Sequence, residues 1–131
     1  MPQQPIELIL MRQLASYLSV PLLIIGPDES VIYYNEAAEP LVGRPYSEGP
    51  TIMLSDINTM FQVTDESGRP VTSDKLPLTV AVREHRTVHA RLMGKSLDGE
   101  PRHVEVTALP LQGQAGRHLG AVAIFWEVDG S

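Results

Sequence analysis

The last third of the chain sets the tightest limit on what it can fold into. Three runs with strand character follow one another there, at residues 88–96, 101–112 and 118–128. A tight-turn signal, Leu97-Asp98-Gly99-Glu100, joins the first two, and the loop Gly113-Gln114-Ala115-Gly116-Arg117 joins the last two. Side chains alternate across a strand, so each run presents two faces that can be compared. In the first, Ala90, Leu92 and Gly94 stand against His89, Arg91, Met93 and Lys95. One face is wet, which predicts an edge strand. The second is intermediate, with Val104, Val106 and Ala108 against His103, Glu105, Thr107 and Leu109. In the last, both sets are apolar: Ala121, Ala123 and Phe125 against Val122, Ile124 and Trp126. A strand apolar on both faces belongs inside a sheet that is covered on both sides.

The earlier part of the chain supplies the covers. Residues 22–25, Leu-Leu-Ile-Ile, are again apolar on both faces and are expected beside the final strand. A turn at Gly26-Pro27-Asp28-Glu29 leads to a second short strand at 31–34, so the two form a hairpin. Asn35 is placed to cap a helix from Glu36 to about Val42, which Gly43 ends. Residues 44–73 are irregular, with helical turns expected around 54–61. Ser73 or Asp74 is expected to cap a further helix, with Pro77 in its first turn, running to about Glu84. These helices can cover one face. The other requires the N-terminal segment, where Pro5 and Glu7 suit a helix start and Pro21 stops the helix. There Ile6, Leu10, Leu14 and Tyr17 follow a helical period and are expected to lie over Val122, Ile124 and Trp126. Leu8, Ile9, Leu10 and Met11 are consecutive and cannot all face one sheet, so the same surface is expected to build a homodimer.

Composition removes several function classes. A chain of 131 residues, 43% hydrophobic and 20% charged, is one ordinary globular domain with a single core. The net charge of −6 would require a local basic patch for nucleic acid, and Arg83, Arg86 and Arg91 are interleaved with Glu84, His85 and His89. There are no cysteines, which excludes disulfides, thiol catalysis and cysteinyl-flavin photochemistry. The apolar runs near 6–11 and 20–25 are too short to span a bilayer, and no secretory signal is evident. A cytoplasmic location with no membrane partner is therefore expected. His89, His103 and His118 lack metal-ligand spacing. Asp28, Glu29, Glu36, Glu39 and Glu105 are scattered over a turn, a helix exterior and the outer sheet face, so no acid–base pair is expected.

The order of strand, strand, helices and three strands, with a helix in front, resembles a PAS domain over about residues 20–128. Asn35-Glu36-Ala37-Ala38 is similar to the family's Asn-Pro-Ala-Ala, and Gly43 falls where that helix ends. Asp65-Glu66-Ser67-Gly68-Arg69-Pro70 leads into Leu76-Pro77-Leu78 as in many bacterial members. Asp98-Gly99 precedes Val104-Glu105-Val106, Pro110-Leu111 closes that strand, and Gly120-Ala121-Val122 opens the last. The resemblance implies an α+β PAS fold: a five-stranded antiparallel sheet in order 2-1-5-4-3, helices on one face and an N-terminal amphipathic helix on the other. It divides the chain into a cap helix at 1–19, a core at 20–128 and a tail at 129–131. Glu127-Val128-Asp129 departs from the family's Asp-X-Thr, so a C-terminal coil output is not implied, and residues 44–66 carry no cofactor signature.

The resemblance also implies a pocket between the inner sheet face and the helix after Ser73. Its expected lining is Leu23, Ile25, Val104, Val106, Ala108, Ala121, Ala123 and Phe125, with Leu78 and Val82 from the helix. Gly94, Ala108, Ala121 and Ala123 are small and leave room. Leu78, Ala81, Val82 and His85 share one helix face, and by analogy with haem-binding members His85 is a candidate iron ligand. Haem and flavin are the cofactors the family allows. The expected function is a sensory module that binds a small, mainly apolar ligand and relays its state through helix or dimer packing. A ligand-free interaction module and a small pocketed α+β enzyme are the alternatives.

Overall fold

The computed structural model describes residues 6–46 and 51–128. Helix α1 spans Ile6–Tyr17, strand β1 Leu22–Ile25 and strand β2 Val31–Tyr34. A 3-10 turn at Glu36–Ala38 runs into α2, Glu39–Val42. After it come α3, Leu54–Met60, a second 3-10 turn at Ser73–Lys75, and α4, Pro77–Glu84. Strands β3, Val88–Lys95, β4, Pro101–Gln112, and β5, His118–Glu127, complete the fold. Pro5 and the tail at 129–131 lie outside the described residues.

The five strands form one antiparallel sheet in the order β2-β1-β5-β4-β3, the order the family resemblance implies, with β5 inside and β3 at an edge as the face patterns predict. β5 is paired along both flanks, with Ala123 opposite Leu23 of β1 and Ala108 of β4. β1 buries all four residues and splits them between the two faces. Leu23 and Ile25 join Val106, Ala108, Ala121 and Ala123 in the inner core under α2, α3 and α4. Leu22 and Ile24 join Val122, Leu109 and Ile124 in an outer core with α1. β3 alternates half-buried and exposed residues, as an edge strand should.

The alternation of β5 breaks at its start. Leu119 packs in the outer core, although Ala121 and Ala123 face inward. Gly120 makes the change with φ +120°, and a Cβ there would stand 2.0 Å from the Ile25 carbonyl oxygen. Only glycine fits a backbone in that conformation at that distance.

α1 covers the outer face with a different stripe from the one expected. Leu8 and Ala15 are buried and Met11 packs beside them, a spacing of i, i+3, i+7. Ile6, Leu10, Leu14 and Tyr17 are 54–87% exposed and do not cap the sheet. Of their expected partners, Val122 is buried, Ile124 is partly buried and Trp126 is 47% exposed, beyond the cover of the helix. The helix is apolar nearly all round, so periodicity alone does not choose a face. The choice falls to the small Ala15, which lets the helix end approach the sheet closely. Pro21 is also not the stop: α1 ends at Tyr17, and Pro21 enters the sheet, its carbonyl accepting the Phe125 N–H at 3.0 Å.

One side chain fixes that approach. Asn35 has no exposed surface, and its amide joins three elements. Oδ1 accepts from the Leu22 N–H at 3.0 Å and from the Ala38 N–H at 3.1 Å, the second being the expected cap. Nδ2 donates to the carbonyls of Ala15 and Val20 at 2.9 Å and, more weakly, of Leu18 at 3.4 Å. The end of α1, the start of β1 and the helix after β2 therefore meet at one amide. Arg12 adds a second tie, its guanidinium lying 4.8 Å from the Tyr33 ring centre and 5.4 Å from that of Tyr46.

α4 starts later than its caps suggest. Ser73 and Asp74 form the separate 3-10 turn, and the residue that opens α4 is Leu76, in an extended conformation. Pro77 imposes this, because a proline ring disfavours helical backbone in the residue before it. Segments of the chain also close parts of both sheet edges. Thr64 exchanges two backbone hydrogen bonds with Met93, and Phe61 accepts from Lys95 on the β3 edge. On the β2 edge Val31 donates to Ile52, and the Tyr46 hydroxyl donates to the Ile32 carbonyl.

Candidate functional site

Helices α2, α3 and α4 do not seal the inner face completely. Between them and the strands lies a cavity of about 140 Å³ with an almost wholly apolar wall. Leu23, Val104, Val106 and Phe125 form its floor on the sheet. Leu78 and Pro77 close it from the start of α4, Leu54 and Ile57 from α3 with Phe61 at its end, and Leu41 and Val42 from α2 with Ala38 of the turn before it. A cavity of this size holds about one benzene-sized ring.

Five of the expected pocket residues, Leu23, Leu78, Val104, Val106 and Phe125, meet at this cavity. Six do not line it: Ile25, Val82, His85, Ala108, Ala121 and Ala123. Ile25, Ala108, Ala121 and Ala123 are completely buried. The three alanines lie where α4 rests on β4 and β5, packed in one cluster with Ala81 and Val82. Their small side chains admit the helix itself, and the open space lies farther along the sheet, toward β3 and the N-terminal end of α4. Gly94 does border the cavity, but its missing side chain serves a main-chain contact. A Cβ there would come within 2.8 Å of the Phe61 carbonyl oxygen.

His85 departs most from expectation. The helix stops at Glu84, and His85 is its C-cap in left-handed backbone, φ 56°. The i+7 spacing therefore no longer holds at that residue. Its exposed ring stacks on His118, with centroids 3.5 Å apart and 16° between planes. Among the described residues no histidine lines the cavity, so these residues would offer no imidazole to the iron of a haem placed there. A flavin fits no better, since the wall offers almost no polar group for its ring edge. Among the described residues no group of three or more His, Cys, Asp or Glu could hold a metal ion.

On β4 the cavity is bordered by a charged side chain, Arg102, paired with Gly94 and in phase with inward-facing Val104 and Val106. It is 23% exposed. Its guanidinium donates to Glu127 at 3.0 Å, to the Pro40 carbonyl of α2 at 2.9 Å and weakly to the Ser96 hydroxyl at 3.4 Å. Lys95 also touches the wall beside Gly94, but its side chain alternates to the exposed face. Away from the cavity, Arg83 of α4 grips Glu29 in the β1–β2 turn through two hydrogen bonds of 2.7 and 2.9 Å. The hydrogen bond from Arg83 holds the Glu29 carboxyl below its usual pKa of 4.5. The α2 and α3 walls and Arg102 were not anticipated from sequence. For Arg102 the signal is its even position on β4, in register with Val104 and Val106.

This arrangement, a five-stranded sheet with a helix-walled inner cavity and a helix behind, defines a class. The PAS fold family matches residues 10–128, and the chain belongs to it. PAS domains are sensory and signalling modules and are generally non-catalytic. Several solved structures share the fold. The PAS domain of a Colwellia psychrerythraea protein is 18% identical, with a TM-score of 0.61, over 93% of this chain and 97% of that one. The PAS domain of nitrogen regulation protein NR(II) from Vibrio parahaemolyticus is 19% identical, with a TM-score of 0.61, over 91% and 98%. The Rhodobacter sphaeroides LOV protein is 14% identical, with a TM-score of 0.72, over 97% and 70%. No curated protein sequence matches the chain. Among the described residues no helix is long and apolar enough to cross a membrane.

Proposed function

We propose that this protein is a cytoplasmic sensory module that takes a small, mainly apolar ligand into the cavity above Val104 and Val106. The observation that carries this reading is a preformed, carbon-lined space of about 140 Å³ placed where three separate helices meet the sheet. Filling it adds contacts to α2, α3 and α4 together, and a ligand shifts a conformational equilibrium only through such state-dependent contacts. Among the described residues the wall holds no carboxylate and no histidine, the usual acid–base pair, which favours sensing over an enzymatic role. The exposed apolar stripe of α1, Ile6, Leu10, Leu14 and Tyr17, supports a homodimer through which the ligand state is relayed. Toluene, a single-ring probe, tests the cavity directly. Methyl NMR of the full chain should show saturable shifts at Leu78, Val104 and Val106, and Val104→Phe should abolish them by filling the space. Absence of any shift in the parent protein would overturn the reading.

A further inference from the structure

Among the described residues the cavity wall is apolar apart from Arg102 and Lys95, and Arg102, which stands on the inner sheet face, has chemical content. Arg102 projects from the inner face of β4 at the end of the cavity nearest α2. Its guanidinium carries five N–H donors. The structure engages three of them, one only weakly, so donors remain for a further acceptor. Its charge partner Glu127 is 54% exposed and closes the β5 strand. A carboxylate that exposed gains little from the pair, because water solvates it nearly as well. An anion arriving through the cavity would be shielded from water on its tail side by the apolar wall. The same guanidinium would hold it in a lower effective dielectric, where the attraction is greater.

We propose that the ligand is a small organic acid with a compact apolar tail, its carboxylate anchored on Arg102 in place of Glu127. This rests on the reading of the cavity as a ligand site. The wall sets the tail at about one six-membered ring, and Arg102 sets the head as a planar anion that can accept two parallel N–H donors. The exchange also releases Glu127 at the end of β5, while the Pro40 contact keeps the guanidinium tied to α2.

Phenylacetate and 2-phenylethanol separate the two layers of the argument, since they share a ring and linker and differ in the charged head. Titrations of the full chain are followed by NMR at the Leu78 and Val104 methyl groups. Phenylacetate should bind at least tenfold more tightly than 2-phenylethanol. Arg102→Gln should erase that preference and leave the alcohol unchanged. Glu127→Gln, an exposed substitution that the fold tolerates, should tighten phenylacetate several-fold by removing the competing carboxylate, again without effect on the alcohol. Equal affinity for acid and alcohol, or weaker phenylacetate binding in Glu127→Gln, overturns the anion assignment and leaves the cavity reading standing. Failure of both compounds to bind overturns both.

Discussion

Asn35 offers the most direct test of how the outer helix is held. Asn35→Ala removes the cap of the Glu36 turn, worth about 1 kcal/mol. It also strips the Leu22 N–H and the Ala15 and Val20 carbonyls of their buried partner. Each buried polar group left unpaired costs about 1–3 kcal/mol, reduced where water can enter the space. The sum expected is a destabilisation of about 3–5 kcal/mol, which lowers the melting temperature by about 10–15 °C in a domain of this size. Asn35→Asp divides the effect. A carboxylate still accepts from Leu22 and Ala38, but it turns an oxygen toward the Ala15 and Val20 carbonyls and repels them. Urea unfolding followed by circular dichroism gives the total loss. Limited proteolysis between residues 6 and 21 shows whether α1 is released first, as expected for Asn35→Asp. A loss below about 1 kcal/mol in Asn35→Ala, or protection of α1 in Asn35→Asp equal to that of the parent, would show that the amide does not hold the helix.

Three further outcomes are expected. Gly120→Ala should abolish folding or cost about 3 kcal/mol or more in urea unfolding, because its Cβ meets the main chain of β1 and no side chain can move aside. Glu29→Gln should reduce the acid sensitivity of stability. The Glu29 pKa is depressed in the folded chain, so its contribution is fully present above the usual 4.5 and is lost as pH falls through the lower folded value. Unfolding curves of the two proteins should thus converge at low pH and separate above about pH 5, and parallel curves would discount the Arg83 contact. Leu10→Glu with Leu14→Glu should convert a dimer to a monomer in sedimentation analysis while leaving the melting temperature within a few degrees, since both side chains are already exposed.

The sheet was readable in the sequence because β5 and β1 are apolar on both faces, and two such strands have few places to go. The central place of β5 beside β1 and the edge character of β3 follow from side-chain alternation, while the full strand order and the pocket lining at Leu23, Val104, Val106 and Phe125 came with the family resemblance. What could not be read depends on contacts between segments distant in sequence. Asn35 has the appearance of an ordinary helix cap, and nothing local shows that its other end reaches Ala15. The helix at 6–17 carries two stripes of similar quality, and the bulkier one, Ile6-Leu10-Leu14-Tyr17, is the one facing water. Ala108, Ala121 and Ala123 read as vacant space, whereas small residues on a sheet serve equally well to seat a helix. His85 continues the apolar helical spacing on paper, but the backbone turns left-handed at that residue and takes its ring elsewhere.

The stretches around Thr64 and Ile52 act as stoppers at the two ends of the ladder. By occupying backbone donors and acceptors of Met93 and Lys95 on one side and of Val31 on the other, they shorten the open edge on which an incoming chain could add itself. Growth by strand addition, the route to ordered aggregates, is thereby hindered along those stretches of the two borders. Where those edges are covered, contacts with another molecule fall to side chains rather than to backbone pairing.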